Sequence, residues 1–220
     1  MKNIYFSDIT AWAPGLGSDK ELWQEWANDI IPIEQKKVSP KLEYTDPLFR
    51  RRLSQITKMT VHVIHDLLEN THISSETKIV FISQRGEIER EFTINKGLIE
   101  DNMILPAGFS LSVFNTPVSS ATLAFGLKGG YSVIYPSKGN FKDAFKLASA
   151  PVLAGTEKDI ILVYADEIVP EVYGEKRPLQ NYPLAFAGII SSEEKDYCIS
   201  FDDFSNVPES PQDFLKLMLK

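Results

Sequence analysis

The order of apolar and polar positions along the chain predicts strands that alternate with helices. Short apolar runs rich in β-branched residues predict strands at residues 4–12, 78–83, 131–135 and 159–164. Apolar residues spaced three and four apart predict helices at residues 20–26, 47–67, 87–100, 117–125, 140–149 and from Pro211 onward. Residues 109–113 have an extended pattern, and residues 183–190 and 197–201 have the pattern of an antiparallel hairpin.

This alternation indicates an α/β fold, with a mixed sheet and helices on its faces. The 13 prolines are scattered, and the sequence contains no internal repeat or low-complexity tract. We therefore expect a single domain that spans residues 1–220.

The charge, the hydropathy and the cysteine content of the chain exclude several kinds of partner and site. The chain has 23 basic and 30 acidic residues, a net charge of -7, which argues against binding to nucleic acid phosphates or to anionic lipid. No stretch approaches the roughly 18 to 20 apolar residues that a membrane span needs. The single cysteine, Cys198, excludes an internal disulfide and a four-cysteine zinc site. We expect a cytoplasmic protein.

Few residues suggest chemistry by themselves. His62 and His65 are three apart on a predicted helix beside Asp66 and could hold a metal, but packing roles are favoured. The glycines at 15–17 and 126–130 lack the complete phosphate-loop patterns, so we interpret them as turns and helix stops. We therefore expect neither a metal nor a cofactor.

Two further positions have alternative interpretations. Asp166 and Glu167 follow a predicted buried strand, where α/β sheets often place working polar groups, although a solvated strand end is favoured. Cys198 lies in a predicted strand, where a thiol usually serves as a small apolar core residue, and only Lys195 is near enough in sequence to lower its pKa.

Several blocks resemble β-ketoacyl synthases. Residues 115–134 resemble the helix, glycine turn and strand that precede the active-site cysteine of that family. Other blocks resemble the half-length ketosynthase-like proteins of aryl polyene and flexirubin-type pigment clusters. These blocks are Trp12-Ala13-Pro14-Gly15, residues 50–59, residues 83–90, residues 109–115, and Ala165-Asp166-Glu167 with Pro170 and Tyr173. The resemblance implies half of a thiolase-like fold, a mixed sheet with helices on its faces.

The resemblance also implies that the nucleophile is replaced. With no gap, the family's cysteine aligns with Lys138, and with a one-residue deletion it aligns with Ser137. An ammonium group cannot hold an acyl chain as a reversible thioester. The family's two catalytic histidines come from the second half of its duplicated fold, and no histidine follows Lys138. We therefore expect no catalytic residue and no independent condensing activity.

In the same superfamily, chain-length factors are inactive partners that help to shape the acyl tunnel of an active ketosynthase. The resemblance implies that role here, in a heterodimer with a full-length ketosynthase that acts on chains bound to an acyl carrier protein. A half-fold is expected to leave a sheet face and an edge for the partner to cover. The residues expected at the interface or tunnel are Phe109, Val113, Phe114, Val118, Tyr131, Val133 and Tyr135.

Two alternatives remain open. One is a stand-alone acyltransferase or thioesterase that uses Ser137 or Cys198 as its nucleophile. The other is a module that binds a carrier protein or a scaffold and has no tunnel role. Substitution of Phe109 or Phe114 distinguishes the tunnel role from the scaffold role, because only the former changes product length.

Overall fold

The computed structural model describes residues 3–178, 181–195 and 198–220, apart from the side chains of Lys138 and Cys198. Six strands in these ranges form one mixed sheet in the order β3-β2-β4-β5-β1-β6. Strands β2, β3 and β4 are parallel to one another, and the pairs β4–β5, β5–β1 and β1–β6 are antiparallel. The strands are β1 (Ile4–Trp12), β2 (Lys78–Ile82), β3 (Tyr131–Ile134), β4 (Asp159–Asp166), β5 (Leu184–Ser191) and β6 (Cys198–Phe201).

Helices cover both faces of the sheet. The α-helices are α1 (Lys20–Ala27), α2 (Pro47–Arg51), α3 (Gln55–Asn70), α4 (Ile88–Asp101), α5 (Pro106–Phe109), α6 (Thr116–Phe125), α7 (Phe141–Ala154) and α8 (Pro211–Leu219). One core lies between the sheet and α3 with α6, and the other between the sheet and α1, α7 and α8. The expectation of an uncovered sheet face is therefore wrong.

The second core is closed by aromatic side chains. The Phe214 ring of α8 lies 4.9 Å from Phe141 and 5.1 Å from Phe145, measured between ring centroids. Phe6 of β1 and Phe186 of β5 contact the same Phe214 ring from the sheet. Because aromatic rings bury large apolar areas, α8 closes this face effectively.

The predicted hairpin is wrong. Both strands exist, but β1 lies between β5 and β6 and pairs antiparallel with each of them. Trp12 pairs with Ala185 at one end of β1, and Ile4 pairs with Phe201 at the other. Strands that are neighbours in sequence are thus separated in the sheet by the first strand of the chain.

The predicted helix over residues 47–67 is two helices. Asp46 caps α2 by accepting from the N–H groups of Leu48 and Phe49, and Ser54 caps α3 by accepting from that of Thr57. The apolar pattern continues across this break because Phe49 of α2 and Leu53 pack, partly buried, against the same core as α3.

The extended structure expected for residues 109–113 is also wrong. Helix α5 ends at Phe109, and the chain then turns, with the Ser112 N–H donating to the Phe109 carbonyl oxygen. By contrast, α6 ends as predicted at Gly126, whose φ of 65° is readily adopted by glycine. None of the helices in the described part of the chain has the length and apolar character needed to cross a membrane.

Candidate functional site

The three parallel strands end at one edge of the sheet, and polar residues that follow them meet there. Ser83 follows β2, a short 3-10 turn at Ser137–Gly139 follows β3, and Asp166 ends β4. This carboxyl edge is where open α/β sheets most often bind ligands.

Asp166 is the centre of this edge. Its side chain is buried and accepts hydrogen bonds from the Ser83 hydroxyl at 2.8 Å and from the Tyr164 hydroxyl at 2.6 Å. The backbone N–H groups of Gln84 and Arg85 donate to the same carboxylate at 3.1 and 3.0 Å. Burial raises the pKa of the Asp166 carboxyl, an effect that Arg85 and these donors oppose. The carboxylate thereby fastens the end of β2 to the end of β4.

Gln84 connects this carboxylate to the turn that follows β3. Its N–H donates to Asp166, and its side-chain Nε2 donates to the Gly139 carbonyl oxygen at 3.2 Å. Ser137 opens the same turn, and its side chain is exposed. The side chain of Lys138 lies outside the described residues. Ser137 and Lys138, with which the resemblance aligns the family's cysteine, thus lie in the turn after β3.

Glu167 continues the network beneath this edge. Its side chain is 1% exposed, and its carboxylate accepts from the backbone N–H groups of Glu89 at 3.1 Å and Ile56 at 3.4 Å. Burial and the nearby charge of Glu87 raise the pKa of Glu167 to about 8. The expectation of a solvated strand end is wrong for both Asp166 and Glu167.

Glu87 is the acidic residue that the sequence analysis missed. It is fully buried and accepts from the hydroxyls of Ser54, at 2.7 Å, and Thr57. Arg90 donates to its other carboxylate oxygen at 3.2 Å, and burial raises the pKa of Glu87. The sequence signal that could have identified Glu87 is Arg90, which stands three positions later at the start of a helix, where the two side chains can pair.

The carboxylates of Asp166, Glu167 and Glu87 hold helices and strands in place and are not positioned to act as a base on a substrate. They are buried, and their oxygens accept from groups at the starts of α3 and α4 and the end of β2. Within the described residues, no hydrogen bond joins the Ser137 hydroxyl to a histidine or a carboxylate. An activated serine requires such a base.

His62 and His65 lie on α3, where they contact Ser18, Tyr44 and Asp66. His62 Nε2 is 2.9 Å from the Ser18 hydroxyl, which donates to Asp66, and the Tyr44 ring stacks on His65 at 3.6 Å. Burial lowers the pKa of His62. No group of three or more potential metal ligands is found in the described ranges. These side chains pack the loop before α2 against α3.

Most of the residues expected at a partner interface lie on or near β3, an edge strand of the sheet. Phe109, Val113 and Tyr135 are 57%, 47% and 65% exposed. We call β3 together with residues 109–115 and Tyr135 the β3 surface. Several exposed apolar residues precede it along the chain, including Ile99, Met103 and Leu105.

Side-chain contacts join the two parts of the β3 surface. The half-buried Phe114 ring meets Tyr135 edge-on, with centroids 6.0 Å apart, and the Asn115 amide donates to the Tyr131 hydroxyl at 2.8 Å. Gly86 allows this arrangement, because a Cβ there would lie 2.6 Å from the Phe114 ring.

Two of the expected interface residues lie deeper. Val133 is partly buried against the core under α3 and α6, and Val118 of α6 is fully buried within that core. Both side chains therefore contribute to this core, so the expectation that Val118 lies at an interface is wrong.

The sequence of residues 23–214 matches the family model for the N-terminal domain of β-ketoacyl synthases. The chain belongs to the β-ketoacyl synthase family. No curated protein sequence is significantly similar to it.

Solved structures share the thiolase-like ketosynthase fold. A chain from the complex of the ketosynthase ApeO with its chain length factor ApeC, from Xenorhabdus doucetiae, aligns with a TM-score of 0.78 at 24% identity. That alignment covers 97% of this chain and 90% of the neighbour, which is therefore of similar length.

A second neighbour belongs to the ishigamide ketosynthase/chain length factor, with a TM-score of 0.67 at 9% identity. A third comes from the AntDE:AntF complex, a type II acyl-carrier protein with its ketosynthase, with a TM-score of 0.64 at 10% identity. The alignments cover 86% and 87% of this chain but only 62% and 63% of those neighbours. The chain thus matches less than two thirds of these longer relatives.

Proposed function

We propose that this chain is a noncatalytic, chain-length-factor-like subunit. It pairs with a full-length ketosynthase through the β3 surface and helps to shape the tunnel that holds the growing acyl chain. The observation that carries the proposal is the turn after β3. There the family places a nucleophilic cysteine, and this chain has Ser137 and Lys138.

The chemistry of that turn supports an inactive subunit. Condensation needs a thiolate that accepts the acyl chain and imidazoles that stabilise the developing oxyanion. The described residues place His62 and His65 on α3, where they contact Ser18 and Tyr44 instead of this turn. The chain therefore depends on a partner for bond formation.

The exposed edge supports association. β3 has one hydrogen-bonded neighbour, β2, in the described sheet, so its other side is available for pairing with a second chain. Exposed apolar side chains flank that edge, and contiguous apolar surface of this kind marks protein interfaces. Pairing at β3 removes an aggregation hazard and gives the interface a fixed register.

The side chains of the β3 surface support a role in the tunnel. In the proposed complex, Phe109, Val113 and Phe114 present bulky apolar groups where the partner's acyl chain ends, whereas Val118 and Val133 stay in the core. Bulky residues at the end of a pocket limit how many carbons fit. The resemblance to half-length pigment-cluster proteins extends the proposal to carrier-bound aryl polyene or related polyene chains.

Assembly of this chain with a full-length ketosynthase tests the proposal. We expect a heterodimer by size-exclusion chromatography with light scattering. Phe109→Asp should weaken it at least about tenfold, because a charge would be buried in an apolar interface. Leu147→Asp on α7 is the matched control, since Leu147 is 63% exposed and lies outside the β3 surface.

Failure to form the heterodimer, or equal weakening by the two variants, would contradict the proposed interface. The same preparations also test the enzymatic alternative. Turnover of an acyl thioester by the isolated chain, abolished by Ser137→Ala, would show that the chain is an enzyme.

A further inference from the structure

A cavity lies beside α4, next to Ser54 and Glu89 of the buried carboxylate network. It has a volume of about 690 Å³ and is bounded by α4, the start of α3 and the segment that leads into α5. Apolar side chains of Leu53, Ile94, Met103, Ile104 and Leu105 line it. This volume is typical of small-molecule sites.

The charge of the cavity wall differs from that of the whole chain. Four cationic residues line it against two acidic ones, whereas the chain carries a net charge of -7. An apolar cavity with this excess of positive charge is complementary to an anion that also has an apolar part. The charged lining residues are Lys37, Lys58, Arg90, Lys96, Glu89 and Asp101.

Lys58 is the cation that is available to a ligand. Lys37 pairs with Glu89, Arg90 with Glu87, and Lys96 with Glu100. The half-buried Lys58 on α3 has no ion pair or side-chain hydrogen bond within the described residues. A partly desolvated ammonium group on an apolar wall gains from an anionic partner more than an exposed one does.

We propose that this cavity binds a linear amphiphile, an aliphatic chain that ends in a carboxylate or a phosphate. The aliphatic part contacts Ile94, Ile104 and Leu105, and the anionic group contacts Lys58. The inference does not depend on the proposed partnership, because none of the seven residues expected at the interface lines the cavity.

Calorimetric titration of the purified chain with octanoate and with octyl phosphate tests this inference, and octanol is the uncharged control. We expect saturable binding of at least one anion and weaker binding of octanol. Lys58→Met keeps the aliphatic stem and removes the charge, so it should weaken anion binding about tenfold and leave octanol binding unchanged. Lys146→Met is the matched control, an exposed lysine on α7 that should have no effect.

Leu105→Trp provides a second variant, because Leu105 is 65% exposed and its replacement leaves the core intact. The larger ring should obstruct the cavity and weaken binding of anions and octanol alike. Circular dichroism melting checks that each variant is folded. The inference is overturned if neither anion binds saturably, if octanol binds as tightly as the anions, or if Lys58→Met or Leu105→Trp binds like the unaltered chain.

Discussion

At the scale of single residues, three buried carboxylates connect the carboxyl edge of the sheet to the helices beside it. The sequence placed Asp166 and Glu167 at the end of a strand but could not show that they are buried. Glu167 can be buried because the starts of α3 and α4 supply hydrogen-bond donors to its carboxylate, the N–H groups of Ile56 and Glu89. These donors are more than 70 positions away in the chain, so no local pattern reports them.

Glu167 should make stability depend on pH. Its pKa is about 8 in the folded chain against an ordinary 4.5, so between these values the folded state holds more protons than the unfolded state. The free energy of unfolding therefore falls as pH rises through this window, by roughly 3 kcal/mol from this group. Chemical denaturation at pH 5 and pH 8 measures the difference, and Glu167→Gln should reduce it substantially.

Glu171→Gln is the control for that experiment, because Glu171 is exposed and follows β4 in the same segment. Its pH dependence should match that of the unaltered chain. If Glu167→Gln loses as much stability between pH 5 and pH 8 as the unaltered chain does, the Glu167 carboxyl is not the cause of the pH dependence.

At the scale of elements, local periodicity predicted most helices and strands but not how the strands pair. The helix that ends at Gly126 and the strand at residues 159–164 depend on local signals, a helix stop and a β-branched run. The hairpin prediction failed because β1 occupies the position between β5 and β6. Pairing between the first strand and two late strands is nonlocal, and neighbouring apolar patterns contain no information about it.

The turn before β3 depends on one glycine. The Lys128 and Gly129 N–H groups donate to the Ser75 carbonyl oxygen, and a Cβ on Gly129 would lie 2.2 Å from the Glu76 carbonyl oxygen. Gly129→Ala should therefore displace β3 from the turn before β2 and lower the free energy of unfolding by roughly 2 to 4 kcal/mol. Urea denaturation measures this loss.

Comparison of Gly129→Ala with Gly130→Ala distinguishes the effect of steric overlap from the effect of backbone strain. Gly130 has a φ of 79°, but no atom lies within 4 Å of its added Cβ. Its replacement should cost only about 1 to 2 kcal/mol of conformational strain. A smaller loss for Gly129→Ala than for Gly130→Ala would contradict the predicted overlap.

At the scale of the whole molecule, the chain covers both faces of its sheet and leaves an edge open. Helix α8 and the aromatic residues around Phe214 close one face, and α3 with α6 closes the other, so no sheet face is left for a partner to cover. The exposed apolar surface lies instead around β3 and in the residues that precede α5. The resemblance predicted the fold, and the interface around β3 stays a prediction. The cavity beside α4 could be seen only in the three-dimensional packing.

The central claim is that this chain changes what a ketosynthase makes without condensing acyl chains itself. Mass spectrometry of the carrier-bound products from the ketosynthase alone, this chain alone and the two together tests it most directly. The account predicts no elongation by this chain alone and a product-length distribution from the pair that differs from that of the ketosynthase alone. Identical products with and without the chain, or elongation by the chain alone, would contradict it.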